Sequence, residues 1–202
     1  MRSTSKNKKK PQSRKNAPVT YVLIGINIFM FIISVLLSGS IMDIDINVLV
    51  TLGAKYNYAI VQGQWFRLIT CMFLHGGLIH IAANMYSLYS IGPLIEDLYG
   101  KYKYLTIYFV TGIISSLFSF FFSPTSISIG ASGAIFGLLG VILVFAIKER
   151  ERIGKGFFMN IASIIAINLF ITLGVPGIDK FAHLGGLLSG VALGIIMKLN
   201  RD

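Results

Sequence analysis

The sequence predicts an all-α polytopic membrane protein, a bundle of six transmembrane helices with a first loop partly embedded in the membrane. Two observations carry that expectation. Of 202 residues, 54% are hydrophobic and only 13% are charged, about half the charged share of a soluble domain. Several apolar runs also approach the ~20 residues that cross a bilayer as a helix. Little sequence lies outside these runs, so one membrane domain at residues 18–199 is expected behind a tail at residues 1–17.

The tail carries seven basic residues (Arg2, Lys6, Lys8, Lys9, Lys10, Arg14, Lys15) and no acid. Its polar, Ser/Asn-rich composition predicts disorder. The net charge of +10 is thus concentrated in one short segment, while the remainder holds eleven Lys/Arg against eight Asp/Glu. Positive-inside placement, with attraction to anionic lipid, accounts for such a tail, and no nucleic-acid partner is expected.

The first span, residues 19–38, reads as an uncleaved signal anchor, since the apolar run is long and further spans follow. Residues 39–77 form a long loop with an apolar content (Ile41, Ile44, Val48, Leu49, Trp65, Phe66, Leu68) that does not suit free suspension in water. Short amphipathic pieces lying at the interface are expected there. Further spans fall at about residues 78–98, 104–122, 132–147, 157–173 and 181–198, joined by short connections. Six spans put both termini on one side. With that side inside, fifteen of the eighteen basic residues lie inside, leaving Lys55, Arg67 and Lys180 outside. The bias predicts cytoplasmic termini. The single cysteine, Cys71, excludes an internal disulfide framework and reads as an apolar packing residue.

This orientation places the starts of spans two, four and six at one depth near the outer face. They carry His80 and Asn84, Ser132, and His183; His75 stands just before span two. Polar side chains inside a membrane mark functional candidates. Ser132, in Gly130-Ala131-Ser132-Gly133, opens its helix, where free N–H groups and the positive dipole end suit an acyl-transfer nucleophile. A helix N-cap is the plainer reading of the same serine. The fourth span has 16 residues, about 24 Å of helix against a ~30 Å hydrocarbon core, which sets Ser132 below the outer interface and requires a water-filled cavity.

His183 is the histidine of span six and the candidate general base. Asp179 precedes it by four residues, placed either to orient it or to cap its helix. Gly133, Gly137 and Gly140 on span four, and Gly186 and Gly190 on span six, have the spacing that lets membrane helices meet backbone to backbone. His80 and Asn84 share one helical face, either as oxyanion donors or as an inter-helix polar clamp. Glu96 closes span two, suited to pairing with Arg67, to bonding backbone groups or to staying solvated.

Taken together, three segments resemble those of the rhomboid intramembrane serine proteases. They are His75-Gly76-Gly77-Leu78-Ile79-His80-Ile81-Ala82-Ala83-Asn84, Gly130-Ala131-Ser132-Gly133, and Ala182-His183-Leu184-Gly185-Gly186-Leu187-Leu188-Ser189-Gly190. The resemblance covers residues 18 to 199. It implies a six-helix fold that cleaves substrate transmembrane segments near the outer face without a cofactor. Ser132 is then the nucleophile and His183 the base, with His80, Asn84 and the Ser132 N–H as the oxyanion hole. Arg67, in Gln64-Trp65-Phe66-Arg67, resembles the family's first-loop Trp-Arg element, although Phe66 stands where Trp is usual. Glu96 resembles its structural acid. Phe136 stands where an aromatic ring, often Tyr, packs on the catalytic His. The small size and the absence of a seventh span imply a bacterial plasma membrane. Neither the substrates nor the oligomeric state follow.

Two other function classes compete. A metalloprotease would need a motif such as His-Glu-x-x-His on a helix, and this sequence has none; no metal site is expected. A catalytically inactive rhomboid-like scaffold or chaperone is the alternative, and would be expected to lack Ser132 or His183.

Overall fold

The computed structural model describes residues 17–200. The expected basic tail lies outside the described residues except for Ala17, as does Arg201. Helix α1 is Pro18–Ser38. Pro18 opens it, where a missing N–H costs nothing. Gly39 closes it at φ 69°, returning its N–H to Val35 O. The first N–H groups of α1 are satisfied from elsewhere in the chain. One carboxylate oxygen of Glu96 accepts from Val19 N at 3.1 Å, and the other accepts from Thr20 N and Thr20 Oγ1, each at 2.9 Å. The negative charge also suits the positive end of the helix.

The first loop folds into short pieces: α2 (Ile46–Thr51), α3 (Asn57–Val61), α4 (Arg67–Thr70) and a 3-10 turn (Cys71–Phe73). Arg67 organises them. Its Nη1 donates to Val50 O at 2.7 Å and Ala54 O at 3.0 Å, and its Nε donates to Gln64 Oε1 at 2.7 Å. Arg67 and Glu96 are therefore satisfied separately and not by each other. Phe31, Ile44, Leu49, Ala54, Leu74 and Ile81 form a small core beneath the loop.

The rest is helical: α5 (Leu78–Tyr99), α6 (Lys101–Phe122), α7 (Ser132–Lys148), α8 (Arg150–Ile153), α9 (Lys155–Gly174) and α10 (Lys180–Ile196). The expected third span begins three residues early, because Lys101 and Tyr102 continue a helix whose apolar run starts later. The sixth ends at Ile196 and not at residue 198. Among the described residues there is no β-strand, only an isolated antiparallel bridge between Lys55 and Ser128.

Helices α1, α5, α6 and α9 are long and apolar enough to cross a membrane, and α7 and α10 are shorter apolar helices of 17 residues each. Helix α7 is central. It packs against α10, α6, α9 and α5, and thirteen of its residues are buried. A methyl group on Gly186 would collide with the carbonyl of Gly133, and one on Gly190 with that of Gly137. The α7–α10 seam is thus backbone on backbone, the approach that small residues permit. Helix α9 is attached more thinly, through Ile161, Ile165 and Thr172.

Candidate active site

The α7–α10 seam brings Ser132 and His183 together. Ser132 is the first residue of α7; the N-cap position belongs to Ala131, and no side chain caps that end. The serine hydroxyl is therefore not engaged as a cap. Its Oγ lies 2.8 Å from Nε2 of His183. Phe136, one turn further along α7, stacks on the His183 ring with centroids 4.3 Å apart and planes 20° from parallel. The ring is thus held on its face by Phe136 and on one edge by Ser132.

Its other edge meets a residue the sequence did not single out. Nδ1 of His183 lies 2.8 Å from Oγ1 of Thr172 at the end of α9. Asp179 does not take this position. It is the N-cap of α10, its Oδ1 accepting from Ala182 N at 3.0 Å, and its Oδ2 accepts from the Ser119 hydroxyl of α6. Of the two roles open to Asp179 the structure shows the cap, and both oxygens are committed to structural bonds.

His80 and Asn84 both lie on α5, and His80 is the one that reaches the segment before Ser132. Gly76 N donates to Nδ1 of His80 at 3.4 Å, so the ring proton belongs on Nε2. That Nε2 lies beside Gly130, which has φ +114°; a methyl group built there would stand 2.8 Å from His80 Nε2 and 3.7 Å from Ser132 Oγ. Glycine at this position keeps a space open between the imidazole donor and the serine. Asn84 Nδ2 donates one proton to His80 O at 2.9 Å, an i to i−4 bond within α5, and keeps a second proton. His75 packs edge-on against His80, with centroids 5.0 Å apart. Burial pushes the His75 imidazole down to about 3, with His80 adding in the same direction, so it is neutral at physiological pH.

The segment before Ser132 is anchored to the first loop. Lys55 and Ser128 exchange backbone hydrogen bonds of 3.0 and 3.1 Å, and Cys71 O accepts from Gly130 N at 2.9 Å. Nζ of Lys55 donates to Ser123 O at 2.9 Å and Ser126 O at 3.0 Å. Lys55 is fully buried, and burial lowers its pKa against the opposing pull of Asp179 and Cys71. In the sequence Lys55 is one basic residue in a loop; only the fold reveals that it ties two loops together. Among the described residues, no three of His, Cys, Asp and Glu converge as a metal site.

A serine hydroxyl within hydrogen-bond reach of one imidazole, with a second imidazole beside the space that Gly130 keeps open, is an arrangement that acyl transfer can use. Comparison with known proteins gives the family. Residues 62–200 match the family model for the Rhomboid domain. The chain is 43% identical over 171 residues to Rhomboid protease GluP of Bacillus subtilis (strain 168), covering 85% of this chain and 33% of that protein. It is 34% identical over 148 residues to Putative rhomboid protease YdcA of the same organism, covering 73% and 74% of the two chains. Rhomboid-like protease 3 of Toxoplasma gondii is 35% identical over 170 residues, covering 82% of this chain and 64% of that one. The chain thus spans about a third of the length of the first relative.

Proposed function

The chain belongs to the rhomboid family, and from that premise we propose that it is an intramembrane serine endopeptidase working through a Ser132–His183 dyad. The observation that carries the proposal is the 2.8 Å approach of Ser132 Oγ to His183 Nε2, from helices joined backbone to backbone. In the first step Nε2 takes the hydroxyl proton as Oγ bonds the scissile carbonyl carbon. His80 Nε2–H, Asn84 Nδ2–H and the Ser132 N–H receive the developing oxyanion. His183 then returns the proton to the leaving amine, and water attacks the acyl-enzyme by the reverse route.

Arg67, Glu96, Gly133, Phe136, Gly186 and Gly190 support this constellation without touching the substrate. Arg67 shapes the first loop, Glu96 caps α1, the glycines set the seam, and Phe136 holds the ring. Six helices, α1, α5, α6, α7, α9 and α10, cross the membrane as one domain at residues 18–199, with the first loop partly embedded. The exposed rings of Trp65 and Phe66 support that loop placement. Both termini face the cytoplasm, supported by the distribution of basic residues. The site opens to the outer face of the plasma membrane, and the substrates are transmembrane proteins.

The test is labelling of the detergent-solubilised protein by a fluorophosphonate. Wild type is expected to label, and Ser132→Ala and His183→Ala are expected not to. Labelling that survives Ser132→Ala overturns the dyad, and a folded wild type that neither labels nor cleaves is the inactive scaffold. Asn84→Ala is expected to cut turnover by about 3 kcal/mol of transition-state stabilisation, roughly a hundredfold or more. Turnover by that variant at the wild-type rate removes Asn84 from the oxyanion hole.

A further inference from the structure

The two ring nitrogens of His183 meet hydroxyls of opposite character. Ser132 Oγ stands 2.8 Å from Nε2 and Thr172 Oγ1 stands 2.8 Å from Nδ1. A hydroxyl has one proton to give and two lone pairs to offer. The Thr172 proton is already directed one turn back along α9, to Asn168 O at 2.7 Å. Its oxygen therefore presents lone pairs to the imidazole, and the proton between the two side chains belongs to Nδ1. A neutral imidazole protonated at Nδ1 leaves Nε2 bare. Nε2 is the atom that has to accept from Ser132.

The chain of bonds thus has one direction: Ser132 Oγ–H to Nε2, Nδ1–H to Thr172 Oγ1, and Thr172 Oγ1–H to the Asn168 carbonyl. We propose that Thr172 is the positioning residue that fixes His183 in the tautomer able to act as base. In a Ser-His-Asp triad a carboxylate orients the imidazole from this side. Here Asp179, the carboxylate one turn before His183, is spent on the α10 N-terminus and on Ser119. Physical chemistry favours the substitution. A buried carboxylate inside a bilayer carries a large desolvation cost. A threonine whose proton is satisfied by its own helix orients the ring without adding a charge, and a bond at each end polarises the chain in the useful direction.

This inference rests on the proposed roles of Ser132 and His183. Under them Nδ1 keeps its proton throughout the cycle. The Ser132 proton moves to Nε2 while the O–C bond forms, and from Nε2 to the amine nitrogen while the C–N bond breaks. When the ring is doubly protonated, the Nδ1–H bond to Thr172 becomes charge-assisted and strengthens.

The experiment compares wild type with Thr172→Val, which keeps the shape and loses the acceptor, and with Thr172→Ser, which keeps the hydroxyl. Cleavage of a transmembrane substrate in liposomes gives kcat and KM, and thermal unfolding in detergent gives Tm. Thr172→Val is expected to lose roughly ten- to a hundredfold in kcat and in fluorophosphonate labelling rate, with KM unchanged; Thr172→Ser is expected to restore most of it. A Thr172→Val protein with wild-type kcat overturns the proposal, as do Val and Ser variants with equal losses.

A second readout does not depend on the variant folding. In wild-type protein labelled with 15N-histidine, the ring signals absent from His183→Ala are those of His183. They are expected to report the Nδ1–H tautomer, and a proton found on Nε2 overturns the proposal. Failure here leaves the dyad intact, since the dyad is judged separately by the loss of labelling in Ser132→Ala and His183→Ala.

Discussion

Phe136 lies flat on His183, and a ring over an imidazole restricts it in a direction that hydrogen bonds at its two edges leave free. An aromatic pair contributes about 0.5–1.5 kcal/mol beyond its buried area. Phe136→Leu is therefore expected to lower kcat about two- to tenfold with little change in KM, measured on a transmembrane substrate, while Phe136→Tyr keeps the wild-type value. His75 makes a different prediction. Its folded value is depressed from 6.5 to about 3, so between those pH values the unfolded chain binds a proton that the folded chain refuses. Stability from this group is complete above pH 6.5 and is lost as pH falls towards 3, by about 1.4 kcal/mol per pH unit. Unfolding followed against pH is expected to show a shallower acid limb for His75→Gln than for wild type; identical slopes would return His75 to an ordinary solvated value.

Helices α7 and α10 act as one element of the proposed active site, because at Gly133–Gly186 and Gly137–Gly190 their contact is backbone on backbone. Gly186→Ala has to push its methyl group into the Gly133 carbonyl, one residue from the proposed nucleophile Ser132. Overpacking of this kind costs about 1–3 kcal/mol, and it also separates Ser132 from His183. Labelling is expected to fall by far more than the loss of Tm alone would explain; a destabilised but fully labelled variant would show that the seam serves folding only. The meeting of these two helices was legible in the sequence. Their glycines recur at helical spacing, and Ser132 and His183 begin apolar runs that point the same way. The bonds at the edges of the site were not. Thr172 looks like any hydroxyl on an apolar helix, and its link to His183 depends on how α9 is rotated. Glu96 caps a helix 76 residues upstream, a pairing that no local pattern encodes. Lys55 reads as a solvated loop cation until the loop before Ser132 is folded over it.

At the scale of the molecule, the proposed orientation can be read with single cysteines. Cys71 is buried, and burial raises its thiol to about 11, so it is a silent background for maleimide labelling. Thr125 and Glu151 are exposed at opposite ends of α7, before its first turn and after its last. In intact cells Thr125→Cys is expected to react with an impermeant maleimide, and Glu151→Cys only after permeabilisation; the reverse pattern would invert the topology. The apolar runs in the sequence were enough to find the six helices to within a few residues. They did not show which helix the others surround. That helix is α7, and its enclosure has a consequence for thickness. A span bordered by lipid has to match the hydrocarbon slab or deform it. Helix α7, with 17 residues and about 25 Å of length, is bordered by protein and carries no such mismatch penalty. In the proposed membrane placement its neighbours meet the bilayer on its behalf, so the bundle sets the depth of Ser132 and holds it constant as the membrane around it thickens or thins.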